Sequence, residues 1–309
     1  MTPVRVAVVG PTASGKSAVA MAAARALGDV ELISVDSMQV YRGMDIGTAT
    51  PTPAERAEIR HHLLDLVDPS DEFTVAEFQR LYAEALADIA ERSRRAILVG
   101  GTGLYHRAVI DGLDLPGEWP DLRRRLECEA DEHGPEVLHA RLAALDASAA
   151  ARMEPTNVRR IVRALEVVEG SGRRFSSYGP GLDAYPPSPV TQIGVRWERA
   201  VLADRVERRV ESMIADGLVD EVAAILADRG LSRSAGQALG YKEIVSHLEG
   251  RIGLDEAVDR IIVRTRQFAV RQLRWFGRDP RIVWVDVVHD AVAEATPAVL
   301  RAFAEAPEP

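Results

Sequence analysis

Cysteine is almost absent: Cys128 stands alone among 309 residues. That excludes an intrachain disulfide and a Cys-based zinc site, so order must come from a packed core. No apolar run approaches the roughly 18–20 residues needed to cross a bilayer, and no membrane partner is expected. The opening stretch, MTPVRVAVVGP, lacks the basic leader and small-residue cleavage site of a secretion signal, and a cytoplasmic location is expected. Lysine is nearly missing too. Of 38 basic residues only Lys16 and Lys242 are lysines. In a chain that uses arginine almost everywhere, a surviving lysine marks a place where a compact ammonium is needed and a planar guanidinium does not fit. That reasoning bears on Lys16 more than on Lys242. Net charge is −9, so the whole molecule does not draw nucleic acid to itself, and any RNA surface has to be a local cluster of cations.

What is present is the composition of a globular chain, 47% apolar and 28% charged, long enough for one large domain or a domain plus an insert. Val4–Val9, Glu31–Asp36 and Ala96–Val99 read as short β-branched strands. Helical patterns over Ser17–Leu27 and Val75–Arg92 separate them. Alternation of this kind predicts an α/β parallel sheet flanked by helices. From about Ile110 to Pro189 strand signals vanish. Asp121–His133, Glu136–Leu145 and Asn157–Glu169 are helical, and a loop rich in Gly, Ser, Pro and Tyr follows. The expectation is a core over 1–110 and 190–309 with a helical insert over 111–189. Val190–Trp197 returns to strand, helices follow at Arg199–Ala215, Val219–Ala227 and Asp255–Gly277, and Ile282–Val287 is a last strand.

Gly10-Pro11-Thr12-Ala13-Ser14-Gly15-Lys16-Ser17 fits GxxxxGK[ST] directly after a strand and directly before a helix, the context that motif requires. Glycines let backbone amides turn inward, the helix N-terminus adds positive potential, and Lys16 supplies a point charge. The Ser17 hydroxyl can ligate a Mg²⁺ bridging two phosphates. This says polyphosphate, without saying what is done to it. P-loop NTPases also hold the metal with an Asp closing an apolar strand. Here the AILV strand closes on Gly100, Gly101 and Thr102. The nearest acid at a strand end is Asp36, which reads as a general base aimed at an acceptor nucleophile. A small-molecule kinase satisfies these features equally well.

The Asp255–Gly277 helix narrows the choice. At about 100° per residue, Arg260, Arg264, Gln267, Arg271, Arg274 and Arg278 fall within about ±40° of one line. The rest of the helix is largely apolar, and this face carries no acid after Asp259. An arginine rail on a buried helix is what a protein presents to a phosphate backbone. Arg159 and Arg163, with Arg160 beside them, form a second cluster in the insert, Arg205 and Arg209 a third, and Arg123–Arg125 a fourth. The His61-His62 pair, ahead of an apolar strand-like run, reads as structural.

In order along the chain stand GPTASGKS, ELISVDSMQVYRGMDIGTATP, HHLLDLVDP, LVGGTGLY, NVRRIVRALEV, GQALGYKE and TRQFAVRQLRWF. Taken together, from about Val4 to Asp286, they resemble the bacterial tRNA dimethylallyltransferases. The resemblance implies a P-loop (NTPase-like) core whose helical insert embraces the tRNA anticodon stem-loop. It also implies prenylation of N6 on the adenine 3′ to the anticodon, using dimethylallyl pyrophosphate and Mg²⁺. Gly10 through Ser17 would hold the pyrophosphate, with Thr12 and Lys16 in the catalytic set and Ser17 on the metal. Asp36 would take the amine proton. Asp36, Ser37, Met38, Gln39 and Thr102 would meet the target region of the tRNA. Arg123, Arg159, Arg160, Arg163, Gln237, Gly240, Tyr241 and Lys242 would add RNA contacts, beside Arg264 and Arg271 of the rail. Arg209, with Arg205 near it, would offset charge on the leaving pyrophosphate. A monomer is expected.

Three rivals share parts of this pattern. A shikimate-type kinase has the loop, the acid and the glycine pair, yet needs neither an arginine rail nor an insert of ~80 residues. An isopentenyltransferase acting on free adenine nucleotides shares the core but has no polymer to grip. An RNA-binding P-loop switch protein would not need Asp36 in the absence of a strand-end acid on AILV.

Overall fold

The structure is a computed structural model that describes residues 4–179, 181–182 and 184–305. Among the described residues six strands form one sheet: β1 (Val4–Val9), β2 (Val30–Val35), β3 (His61–His62), β4 (Arg95–Gly100), β5 (Thr191–Trp197) and β6 (Ile282–Val287). Their order is β3-β2-β4-β1-β5-β6, and every pairing is parallel. Parallel strands covered on both faces are apolar at consecutive positions, and β2 is buried at all six. Strand pleating sorts these residues into two cores. Ile33, Val35, Ala96 and Leu98 face one, with Phe78, Ile89 and Tyr105 of the covering helices. Leu32, Ile97 and Val99 face the other, against Val19, Ala20 and Ala23 of helix Lys16–Leu27 and Phe303 of helix Ala291–Glu305. The chain leaves β1 toward β2 on one side and returns to β5 on the other. The crevice beyond the carboxyl ends of β1 and β4 is therefore a topological switch point, where open α/β sheets take ligands.

The expected strands and long helices are present, with shifted ends. One departure is β3. The two histidines are themselves the strand, and the following Leu63 and Asp65 turn to positive φ (63° and 53°), which ends it. Leu66 and Val67 then donate to the Val40 carbonyl instead of extending the sheet. His62 is structural as read: its Nε2 lies 2.6 Å from the buried Glu31 carboxylate, which also takes Arg92 at 2.7 Å. Helices Pro53–Glu58, Gly103–Ile110, Ala147–Ala150 and Tyr241–Leu248 were not foreseen. All are short, and the first owes its start to a Thr52/Glu55 capping box rather than to an apolar stripe.

The chain divides into two compact units, 1–111 with 187–309, and Gly112–Pro186. The second has its own core of Leu126, Leu138, Leu142, Ile161 and Leu165. Its central acid, Glu166, is fully buried. It accepts from the Trp119 amide at 2.7 Å and from Arg123 at 2.9 Å, with Arg163 at 3.0 Å.

Candidate active site

The sequence from Gly10 to Ser17 folds as a loop because helix Lys16–Leu27 begins behind a glycine. Gly15 sits at φ 89°, a conformation strained for any residue with a Cβ. The loop's outward-facing polar groups are tied down one by one. Trp197, closing β5, donates its indole N–H to the Ser14 carbonyl at 2.9 Å. Arg205 donates Nε–H to the Ala13 carbonyl at 2.8 Å, its guanidinium 4.4 Å from the Trp197 ring. Lys16 Nζ reaches the Pro11 carbonyl at 3.2 Å. Turning carbonyls outward leaves the amides of a nest facing in.

In front of the loop lies a cavity of about 1300 Å³. Thr12, Lys16, Ser17, Asp36, Ser37, Met38, Gln39, Thr102, Arg209, Gln237, Gly240 and Arg271 all line it, so half of the site residues named from sequence open onto one space. Asp36 follows the last residue of β2, at the carboxyl edge of the sheet. Its Oδ1 accepts the Met38 amide at 2.9 Å, a local turn that fixes the carboxylate. The adjacent Ser37 amide donates to the Thr102 hydroxyl at 3.1 Å, linking the ends of β2 and β4.

Electrostatics follow from enclosure. Burial lowers the Lys16 ammonium from 10.5 to about 8, the Arg209 guanidinium adds to the fall, and Asp36 opposes it. Arg209 is lowered chiefly by burial, with Asp36 again opposing. The charges of Lys16 and Arg209 are felt by one another, and among the described residues neither is in an ion pair, which prepares the site for a multiply charged anion.

Other named residues are placed differently. Gln39 spends its amide on the fold: it accepts from Ser34 at 2.7 Å and donates to the Thr48 and Ala49 carbonyls at 3.2 Å. Tyr241 is fully buried, so an RNA contact through this side chain does not fit. Its hydroxyl donates to Glu221 at 2.5 Å, and Glu221 in turn caps the amides of Asp45 and Ile46. Arg205 braces the loop from behind rather than lining the cavity. Two rail positions are neutralised by acids: Arg264 pairs with buried Glu243 of another helix, which the rail's own sequence does not reveal, and Arg260 pairs with Glu256 one turn earlier on the same helix at 2.6 Å. Arg271 and Arg274 remain exposed. Lys242 is exposed with Nζ 2.9 Å from Gln237 Oε1, and Gly240 caps its helix. In the second unit Arg159 and Arg160 are exposed, whereas Arg123 and Arg163 clasp Glu166.

Sequence reasoning gave no role to Gln272. It is buried in helix Leu254–Phe276, with its carbonyl accepting the Thr12 amide at 2.8 Å and its amide donating to the Gly101 carbonyl at 2.9 Å. The signal was a polar residue on the inward side of a helix face that is apolar but for Thr265.

Comparison with known proteins adds the following. Residues 39–279 match the family model described as IPP transferase. A tRNA dimethylallyltransferase from Salinispora tropica is 50% identical over 94% of this chain and 91% of its own length. The crystal structure of a full-length tRNA isopentenylpyrophosphate transferase from Bacillus halodurans superposes with a TM-score of 0.69 at 40% identity, covering 98% of this chain and 97% of the other. A eukaryotic dimethylallyltransferase solved acting on tRNA shares the fold, with a TM-score of 0.78 at 24% identity, over 96% of this chain and 77% of that one.

Proposed function

Because the chain belongs to the IPP transferase family, we propose that it transfers a dimethylallyl group from dimethylallyl pyrophosphate to N6 of the adenine 3′ to the anticodon in tRNA. The observation that carries this reading is one cavity shared by a phosphate loop and Asp36, with no carboxylate where β4 closes on Gly100, Gly101 and Thr102. A P-loop NTPase would hold its metal with an Asp closing that strand. Here the bond broken lies between carbon and oxygen. The N6 lone pair attacks the allylic carbon, the C–O electron pair leaves with pyrophosphate, and the N6 proton passes to the Asp36 carboxylate.

Inward amides, Lys16 and Arg209 hold the pyrophosphate and take up its growing charge. Ser17 would hold Mg²⁺ through its hydroxyl. Among the described residues no group of three or more His, Cys, Asp or Glu could cage a metal, which suits an ion carried mainly by phosphates. When bound, the ion neutralises leaving-group charge. Thr102, fixed by Ser37, faces the acceptor side of the cavity, and Arg271, Gln237, Lys242, Arg159 and Arg160 supply exposed RNA-binding groups. An adenine inside a stem-loop must leave its stack to reach such a site.

The test is a transfer assay with Mg²⁺, comparing labelled dimethylallyl pyrophosphate with γ-labelled ATP. Each is offered an anticodon stem-loop with adenine 3′ to the anticodon, and free AMP. Allyl label on the stem-loop alone supports the proposal. Allyl label on AMP keeps the chemistry and replaces the partner. Phosphoryl transfer without allyl transfer overturns the reading.

A further inference from the structure

Gln272 lies at the junction of two loops that need a fixed spacing. Its side chain is 6% exposed, and both ends of the amide are used, one on each loop. The carbonyl takes the Thr12 N–H, turning one phosphate-loop amide away from the nest and onto helix Leu254–Phe276. The NH₂ donates to Gly101, the residue before Thr102. A Cβ at Gly101 would stand 2.5 Å from Gln272 Nε2, so this glycine keeps the space the amide occupies. One turn further along the same helix, Trp275 packs where a Cβ on Gly103 would sit, at 2.2 Å. The helix is thus seated on both sides of Thr102. Thr102 receives the Ser37 amide, next to Asp36.

We propose that Gln272 is a positioning residue that sets the distance between the pyrophosphate loop and the Asp36–Thr102 side of the cavity. This rests on the reading of the site as a prenyl transferase. In that reaction the leaving group is held by the loop and the nucleophile by Asp36 and Thr102. The reacting atoms must meet at about 3–3.5 Å, and a misplacement of about 1 Å costs about 100-fold in rate. Neither substrate needs to touch Gln272 for this to hold. Arg271, next to it in sequence, opens onto the cavity, so the helix that presents a cation to the acceptor also carries the staple.

The experiment uses the full chain with Gln272→Met, Gly101→Ala and the Gly101→Ala/Gln272→Met pair. Three quantities are read: single-turnover transfer at saturating substrates, affinity for pyrophosphate and stem-loop separately, and hydrogen exchange over Thr12–Lys16. Gln272→Met is expected to lower the single-turnover rate about 100-fold while each affinity stays within about threefold. Gly101→Ala, which pushes the intact amide aside, is expected to give a similar loss. The double variant is expected to be no worse than the poorer single variant, because both act through the same amide. Exchange at Thr12 should rise in every variant.

A Gln272→Met rate within twofold of the parent overturns the proposal. So does a loss explained wholly by weaker pyrophosphate binding, or losses that multiply in the double variant. If Gln272→Met does not fold, Gly101→Ala decides, and a full rate there overturns the proposal. If the unaltered protein transfers no allyl group, the reading of the reaction fails. The exchange data then judge the staple, and unchanged protection at Thr12 overturns it.

Discussion

The indole N–H of Trp197 donates to the main-chain oxygen of Ser14 at 2.9 Å, from a side chain only 7% exposed. Trp197 closes β5, so this bond fastens the phosphate loop to the neighbouring strand and holds one carbonyl away from the ligand. Trp197→Phe keeps a ring for Arg205 to stack on and removes just the donor. A buried carbonyl left unpaired costs about 1–3 kcal/mol. Part of that cost should be relieved by loop movement, so pyrophosphate affinity is expected to fall about tenfold. Calorimetric titration checks it, and unchanged affinity would show that the nest keeps its shape without Trp197.

Asp36→Asn separates geometry from chemistry. Asparagine can still accept the Met38 amide that Asp36 accepts at 2.9 Å, so the turn survives, but it cannot take a proton. Positioned general bases contribute roughly 10²–10⁴-fold. Single-turnover transfer should fall within that range while stem-loop affinity stays within about threefold. Normal turnover would remove Asp36 as the base.

Much of this was legible because it depends on local sequence. The strands showed as short β-branched runs, and the loop showed as glycines at fixed spacing between a strand and a helix. What could not be read depends on residues that meet only in three dimensions. The periodicity of Asp255–Gly277 placed Arg264 and Arg271 on one face correctly, but it could not show that Glu243, from another helix, neutralises Arg264. Tyr241 stands in a motif expected to meet RNA, yet its ring fills the space beside Gly47. Gln272 looked like one more polar residue because its partners lie 260 and 171 positions away.

Lys16 gives the site a pH signature. Burial, with the Arg209 charge adding to it, holds its ammonium down at about 8. Below that pH it is charged and ready for an anion; above it, binding must first take up a proton. Affinity for pyrophosphate is therefore expected to fall as pH rises above about 8, with a limiting slope of about tenfold per unit. The free protein behaves in the opposite sense. The unfolded chain binds more protons between about 8 and 10.5, so stability rises through that window. Lys16→Met has no group to titrate there and should show neither trend. The ratio of the two proteins' affinities between about pH 7 and 9.5 cancels the ligand's own ionisation. A flat ratio would mean Lys16 is charged throughout that range before the anion binds.

Arg264 and Arg271 lie two turns apart on one helix face, but their surroundings predict opposite phenotypes. Arg271 is exposed, lines the cavity and stands over Phe268 with 5.7 Å from guanidinium to ring centroid. Its charge is free to meet a phosphate. Arg271→Glu should weaken stem-loop binding and reduce the magnitude of the salt slope by about one. Thermal stability should barely change. Arg264 is paired with Glu243, whose side chain is 2% exposed and which also caps Gly240 at 3.0 Å. Removing the arginine leaves that carboxylate buried without its partner, the costly half of breaking an ion pair. Because Arg264 is itself 43% exposed, solvent screening moderates the loss. Arg264→Ala should lower Tm by several degrees and leave the salt slope nearly intact. Equal losses of slope in both variants would mean that Arg264 leaves Glu243 when RNA binds, and that the rail acts as a unit.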